Sequence, residues 1–141
     1  MNIWWKFVQN NPKYINKASA IVTLLCGAQP KQLQRNLISC KFECLLCKSR
    51  VKDDVYHVVI DCTKTTQARD IFWSRIYDNM PLAMRMNLQE MRKKQVVDFI
   101  LSGLGERYLR EWDDIYVNIV LQIWELYQNR ALEIDKMLLV S

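Results

Sequence analysis

Along most of this chain apolar residues recur at three- and four-residue spacing, the period of helices that bury one face. Trp4, Trp5, Phe7 and Val8 form a first apolar cluster, read as a short helix docking on the next one. Asn11-Pro12 places a capping side chain before a proline at a first helical turn. From Pro12 to Cys26, Ile15, Ala18, Val22 and Leu25 fall at helical spacing, and Gly27 is a stop. Pro30 restarts a short helix through Leu37, with Leu33 and Leu37 on one face. Further on, Thr66 to Asp78 presents Ala68, Ile71, Phe72, Ile76 and Tyr77 toward a core. Pro81 interrupts, and a helix from about Asn87 to Ser102 carries Met91, Val96, Phe99 and Ile100. Gly103 and Gly105 bracket the next turn. The last segment, Glu106 to about Met137, is long and amphipathic, with Trp112, Tyr116, Ile119, Ile123, Leu126 and Tyr127 on a wide stripe. Such a stripe is first a core face and second a surface for a partner helix; its spacing is too irregular for a coiled coil.

Residues 40–62 break the period and hold four of the five cysteines and the only histidine. From Cys44 the spacing is C-x2-C-x9-H-x4-C, ending at Cys62. Two cysteines two residues apart can turn both sulfurs toward one point, and a tetrahedral Zn²⁺ takes four such soft or borderline donors. Asp53 or Asp54 can cap a following turn that brings His57 and Cys62 to the other side. Cys44, Cys47, His57 and Cys62 are therefore the expected ligands, a closed shell that points to structural zinc and leaves no open catalytic position. The alternative is a set of buried reduced cysteines beside a core histidine. Cys40, four residues before Cys44, can also replace one ligand, although the Cys44–Cys47 turn is tighter. Cys26, next to Gly27, is read as packing.

The totals sharpen this picture in two ways. With 141 residues, half of them hydrophobic, and only three Gly and three Pro, the chain has the balance of one helix-rich domain. Residues 1–52 carry nine Lys or Arg against a single acid, Glu43, whereas the remainder carries eleven basic and fourteen acidic side chains. An excess of that kind attracts polyanions, because each cation that neutralises a phosphate releases a counterion; the alternative is a solvated basic face with no partner. No apolar run reaches membrane-spanning length, and the start lacks the features of a secretory signal. An intracellular protein, nuclear or cytoplasmic, is expected, and there clustered cysteines are metal ligands before they are disulfides.

The run Cys44-Leu-Leu-Cys47, then Asp54-Val-Tyr-His57-Val-Val-Ile-Asp-Cys62, then Ala68-Arg69-Asp70-Ile71-Phe72-Trp73, resembles the zinc-knuckle region near the C-terminus of non-LTR (LINE-type, insect-like) retrotransposon reverse transcriptases. Leu25-Cys-Gly27-Ala-Gln-Pro30 and Leu37 are similar to the helix, glycine turn and short helix that lead into the knuckle in that family. The stretch from Val97 to Gly105, followed by Glu111-Trp112 and Ile115-Tyr116, looks like the tail of insect-type elements. Two positions depart from the family: Ala28 stands where many members have histidine, and the loop between Cys47 and His57 is long and basic in its first half. The resemblance implies binding of element RNA or target DNA during retrotransposition, with phosphate contacts from Lys41, Lys48, Arg50 and Lys52, helped by Lys31 and Arg35. Phe42 and Tyr56 are the few aromatics near the knuckle for base stacking, so weak sequence preference is expected.

No catalysis is expected of this chain. A reverse transcriptase palm holds Mg²⁺ on an aromatic-x-Asp-Asp turn between strands; Asp53-Asp54 sits in the knuckle loop and Asp113-Asp114 in a predicted helix. A glycine-rich phosphate loop and a nucleophile elbow are also missing from the sequence. The expected fold is mostly α: basic helices over 1–39, a CCHC zinc knuckle over 40–63, and a helical region over 64–141 ending in a long amphipathic helix. As a fragment or relic of a larger enzyme it binds nucleic acid; the competing expectation is a protein–protein module in which zinc is purely structural and 106–137 docks on a partner or on itself.

Overall fold

A computed structural model describes residues 3–25, 44–47, 54–105 and 109–140. Among them the protein is helical and contains no strand, in six α-helices: α1 (Ile3–Asn10), α2 (Ile15–Leu25), α3 (Thr66–Asp78), α4 (Leu82–Gln89), α5 (Lys93–Leu101) and α6 (Asp113–Val140). The predicted helix over 30–37 lies outside the described residues.

The long α6, 28 residues and about 42 Å at 1.5 Å per residue, is the axis on which the other helices pack, α3 and α2 above all. Its expected stripe is a core face. Tyr116, Ile119, Ile123, Leu126 and Tyr127 are buried and Trp112 half-buried. From the other side α1 inserts Trp4 and Phe7: Trp4 meets Tyr116 edge-on at 5.3 Å between ring centroids, and Phe7 stacks on it at 5.9 Å. Trp4 also donates its indole N–H to the Leu101 carbonyl at 2.7 Å, so the polar atom of a fully buried ring is satisfied.

The turn after α5 explains both glycines singled out in the sequence. Gly103 (φ +81°), Leu104 (φ +56°) and Gly105 (φ +77°) all lie in the left-handed region. A Cβ on Gly103 would stand 1.9 Å from the Ile3 Cγ2, so only glycine lets α1 close on this turn. The Tyr116 hydroxyl donates to the Gly103 carbonyl at 2.8 Å and ties the turn to α6.

Four details differ from the sequence reading. Asn11 does not cap α2. Its amide donates back to the Phe7 carbonyl (3.1 Å) and across to the Asp113 carboxylate (3.3 Å), and a short 3₁₀ turn, Pro12–Tyr14, starts α2 instead. The buried face of α2, which packs against α1, α5 and α6, is Ala18, Ala20, Ile21 and Leu24, whereas Ile15 and Val22 are exposed. In α3, Ile71 is exposed, whereas Trp73 is half-buried. The helix expected from Asn87 is two helices, α4 and α5, broken at Glu90–Arg92. Arg92 is extended, and its N–H donates to the Gln95 side chain, a cap that begins a new helix.

Candidate metal centre

Two tight turns and the end of α6 build the site. The first turn is Cys44–Cys47. The second begins at Asp54, whose carboxylate accepts the His57 N–H at 2.9 Å, the capping role expected of Asp53 or Asp54. From His57 to Asp61 the chain makes one wide π turn, and Cys62 closes it by donating its N–H to the His57 carbonyl at 2.8 Å. An i to i+5 turn of this kind places His57 and Cys62 beside each other, which is why four residues separate them. The intervening Val58 and Val59 are buried in the main core, so the turn is plugged into the fold on one side and offers ligands on the other.

The four donor atoms of Cys44, Cys47, His57 and Cys62 lie within 4.8 Å of one another. Cys44 Sγ and Cys62 Sγ are 3.9 Å apart, and Cys47 Sγ is 3.4 Å from His57 Nε2. In a tetrahedral site with metal–sulfur bonds of about 2.3 Å and metal–nitrogen bonds of about 2.0–2.1 Å, the sulfur–sulfur edge is about 3.8 Å and the sulfur–nitrogen edge about 3.5 Å. The two measured edges match, so these residues fit a metal ion of zinc's size and preference. Cys44, His57 and Cys62 are buried and Cys47 half-buried, as a closed structural site requires. Cys40, the alternative first ligand, lies outside the described residues, and so does Cys26.

The electrostatics of the site drive its two most buried sulfurs in opposite directions. Cys62 is pushed down to about 6, chiefly by the hydrogen bond with the Cys44 thiol; the Lys64 amide and the Thr65 hydroxyl act in the same direction, against burial and the nearby Cys47. Cys44 is pushed up to about 12, first because it shares its proton with Cys62 and then by burial, while the backbone amides of Cys47 and Leu46 pull the other way. Backbone amides of Leu46, Cys47 and Lys64 are thus already aimed at the two sulfurs that a cation would bind.

Three further residues shape the site, none of which was singled out as such in the sequence. Arg69 in α3 donates to the Cys62 carbonyl at 3.1 Å, to the Ile60 carbonyl and to the Thr66 hydroxyl, and Trp73 one turn later donates to the Val59 carbonyl at 2.9 Å. Together they hold the carbonyls at the end of the π turn, a structural reason for the Arg69 and Trp73 of the sequence motif. Arg130 in α6 is buried, with Nη2 3.9 Å from Cys44 Sγ. Its signal in the sequence is a charge in the apolar register, between Tyr127 and Ile134.

The nucleic-acid candidates Lys31, Arg35, Lys41, Lys48, Arg50 and Lys52 all lie outside the described residues, as does Phe42. Tyr56 is described, and it is engaged. Its hydroxyl donates to Asp98, which with burial pushes its pKa up to about 12, and the Lys94 ammonium sits 4.6 Å from its ring centroid. One face of that ring is therefore covered by a cation.

Fold and site define a helical protein organised around a Cys3His cluster able to hold a metal ion. No known family model matches the chain, and no curated protein or solved structure matches it at a significant level. No helix among the described residues is long and apolar enough to cross a membrane.

Proposed function

We propose that this chain is a non-catalytic zinc-knuckle domain that binds nucleic acid, the C-terminal part of a non-LTR retrotransposon reverse transcriptase or a relic of one, acting on element RNA or target DNA in the nucleus or cytoplasm. The observation that carries the reading is the cluster of four protein donors, Cys44, Cys47, His57 and Cys62, within 4.8 Å of one another, with the Cys44–Cys62 and Cys47–His57 edges at tetrahedral length. Four protein donors leave no coordination position for a substrate or an activated water, so the zinc in this reading is structural. The resemblance in the knuckle and in the Arg69–Trp73 helix supports the family assignment. Lys41, Lys48, Arg50 and Lys52 stand within five residues of Cys44 or Cys47 in the sequence, so ordering the Cys44–Cys47 turn also concentrates positive charge at one place.

The test is fluorescence anisotropy of the zinc-loaded chain with single-stranded RNA and with duplex DNA, over a series of salt concentrations. Affinity should fall steeply with salt and differ little among sequences. Arg50→Ala with Lys52→Ala should weaken binding to every sequence and reduce the salt slope by about 2, one per lost cation. Unchanged affinity in that double variant would remove the proposed contacts.

A second reading, a protein–protein module with purely structural zinc, is favoured by one observation. Leu132, Leu138 and Leu139 near the end of α6 are exposed, Leu139 at 86%. Trp124 is not the residue to test it with, since it is half-buried against the core and the Lys17 ammonium lies 5.8 Å from its ring. Light scattering of Leu132→Glu with Leu139→Glu is the sharper experiment: self-association that disappears in this variant supports the second reading, and an unchanged monomer counts against it.

A further inference from the structure

The end of α6 reaches the metal centre. Arg130, Ile134 and Met137 recur at i, i+4 and i+7 on this helix, and Ile134 and Met137 pack with Cys44, Leu46 and Cys62 in a small apolar cluster separate from the main core. Arg130 is 5% exposed and Ile134 5% exposed, so this face of the helix is sealed against the knuckle.

The charge of the donor set makes Arg130 more than packing. Three thiolates and a neutral imidazole around a divalent cation carry a net charge of −1, in a place where Cys44 is 2% exposed and Cys62 0% exposed. A buried net charge demands a compensating one, and a guanidinium stays cationic at any pH a protein tolerates. Arg130 Nη2 lies 3.9 Å from Cys44 Sγ, the distance of a weak charge-assisted contact to sulfur.

We infer that Arg130 is a positioning residue that balances the anionic Cys3His–metal unit, and that metal loading is what fastens the last three turns of α6, from Arg130 onward, onto the knuckle. The centre is then a metal-dependent clamp on the C-terminal helix. Without the ion the four ligand side chains are no longer drawn to one point, and the surface of Cys44, Leu46 and Cys62 on which Ile134 and Met137 pack loses its fixed shape. This inference rests on the metal-binding part of the reading above and is independent of nucleic acid.

Two experiments with Zn²⁺ alone test it. Hydrogen exchange on the native chain compares zinc-loaded and chelated protein: amides of 130–139 should exchange about 10-fold faster or more after chelation, while those of 115–127 keep their protection. In competition with a chromophoric chelator, Arg130→Met should bind Zn²⁺ about 10- to 100-fold more weakly, and Arg130→Lys should recover most of that loss, because it restores charge without restoring shape. Packing alone would leave Lys no better than Met. Unaltered protection of 130–139 on chelation, or Arg130→Met binding Zn²⁺ like the native chain, would overturn the clamp while leaving the site intact. A native chain that takes up no Zn²⁺ at all would overturn both the clamp and the metal centre on which it rests, without bearing on whether the basic segments bind nucleic acid.

Discussion

Among the described residues the protein has two apolar clusters held together by different physics. In the large one, Trp4, Phe7, Ile21, Tyr116, Ile119 and Ile123 interlock between α1, α2 and α6, and each full burial of such a side chain contributes about 1.5–3 kcal/mol. Many residues share the load, so the loss of one weakens the whole without dissolving it. The small cluster buries two aliphatic side chains, Leu46 and Ile134, beside Cys44 and Cys62. That burial is worth about 3–6 kcal/mol by the same measure, against an ordering cost of about 1–2 kcal/mol for each residue of its turns. Burial alone falls short of that cost, and in the proposed zinc-loaded form coordination makes up the difference: apparent binding of structural zinc reaches about 10–16 kcal/mol in zinc-finger peptides. One region is stable through bulk; the other, in the proposed zinc-loaded form, through coordination.

The most direct way to break that contrast is to remove the metal or a ligand. With His57→Ala, or after chelation, protection at 57–62 should vanish and zinc measured by elemental mass spectrometry should fall from one per chain toward none. The helical signal of the main core should largely survive. Complete loss of helix on chelation would mean that the two clusters melt as one unit and that the contrast is false.

The converse change should strike the large cluster alone. Tyr116→Ala removes a fully buried ring that meets both Trp4 and Phe7, together with its hydrogen bond to Gly103, and should cost about 3–5 kcal/mol by denaturant titration. Zinc content of the remaining folded protein should stay near one. Gly103→Ala is a step smaller, about 2–4 kcal/mol, since it combines a left-handed backbone with a methyl that must displace Ile3. A stability loss under 1 kcal/mol there would show that α1 is not closed on this turn in solution.

The same contrast explains what could be read from the sequence. The helices of the large cluster were legible because apolar periodicity is a property of whole segments; Tyr116, Ile119, Ile123, Leu126 and Tyr127 in α6 are buried as their spacing implies. Details that depend on a neighbour were not. Ala18 is buried as its spacing implies, but Ile15 and Val22 of the same row are exposed and Ala20, Ile21 and Leu24 are buried instead, a rotation that only the helices around α2 decide. The Cys3His cluster was legible for a different reason: few arrangements of Cys and His satisfy a tetrahedron at that spacing, so Cys44, Cys47, His57 and Cys62 could be grouped without knowing the path between them. Their supports were hidden, because Arg69 and Trp73 act through carbonyls, which no sequence pattern displays, and Arg130 comes from 68 residues beyond Cys62.

The smallest expected effect lies where the two clusters meet. Val59 belongs to the main core, yet its carbonyl is held by the Trp73 indole only three residues before the ligand Cys62. Trp73→Phe keeps an aromatic ring against Phe72 and Tyr77 and removes the N–H, so it should lower stability by about 1 kcal/mol. If the π turn transmits order from the core to the ligands, the same variant should also release zinc to a competing chelator several-fold faster. A lowered stability with an unchanged release rate would place Trp73 wholly within the main core and leave Arg69, on the Cys62 carbonyl itself, as the link between the two regions.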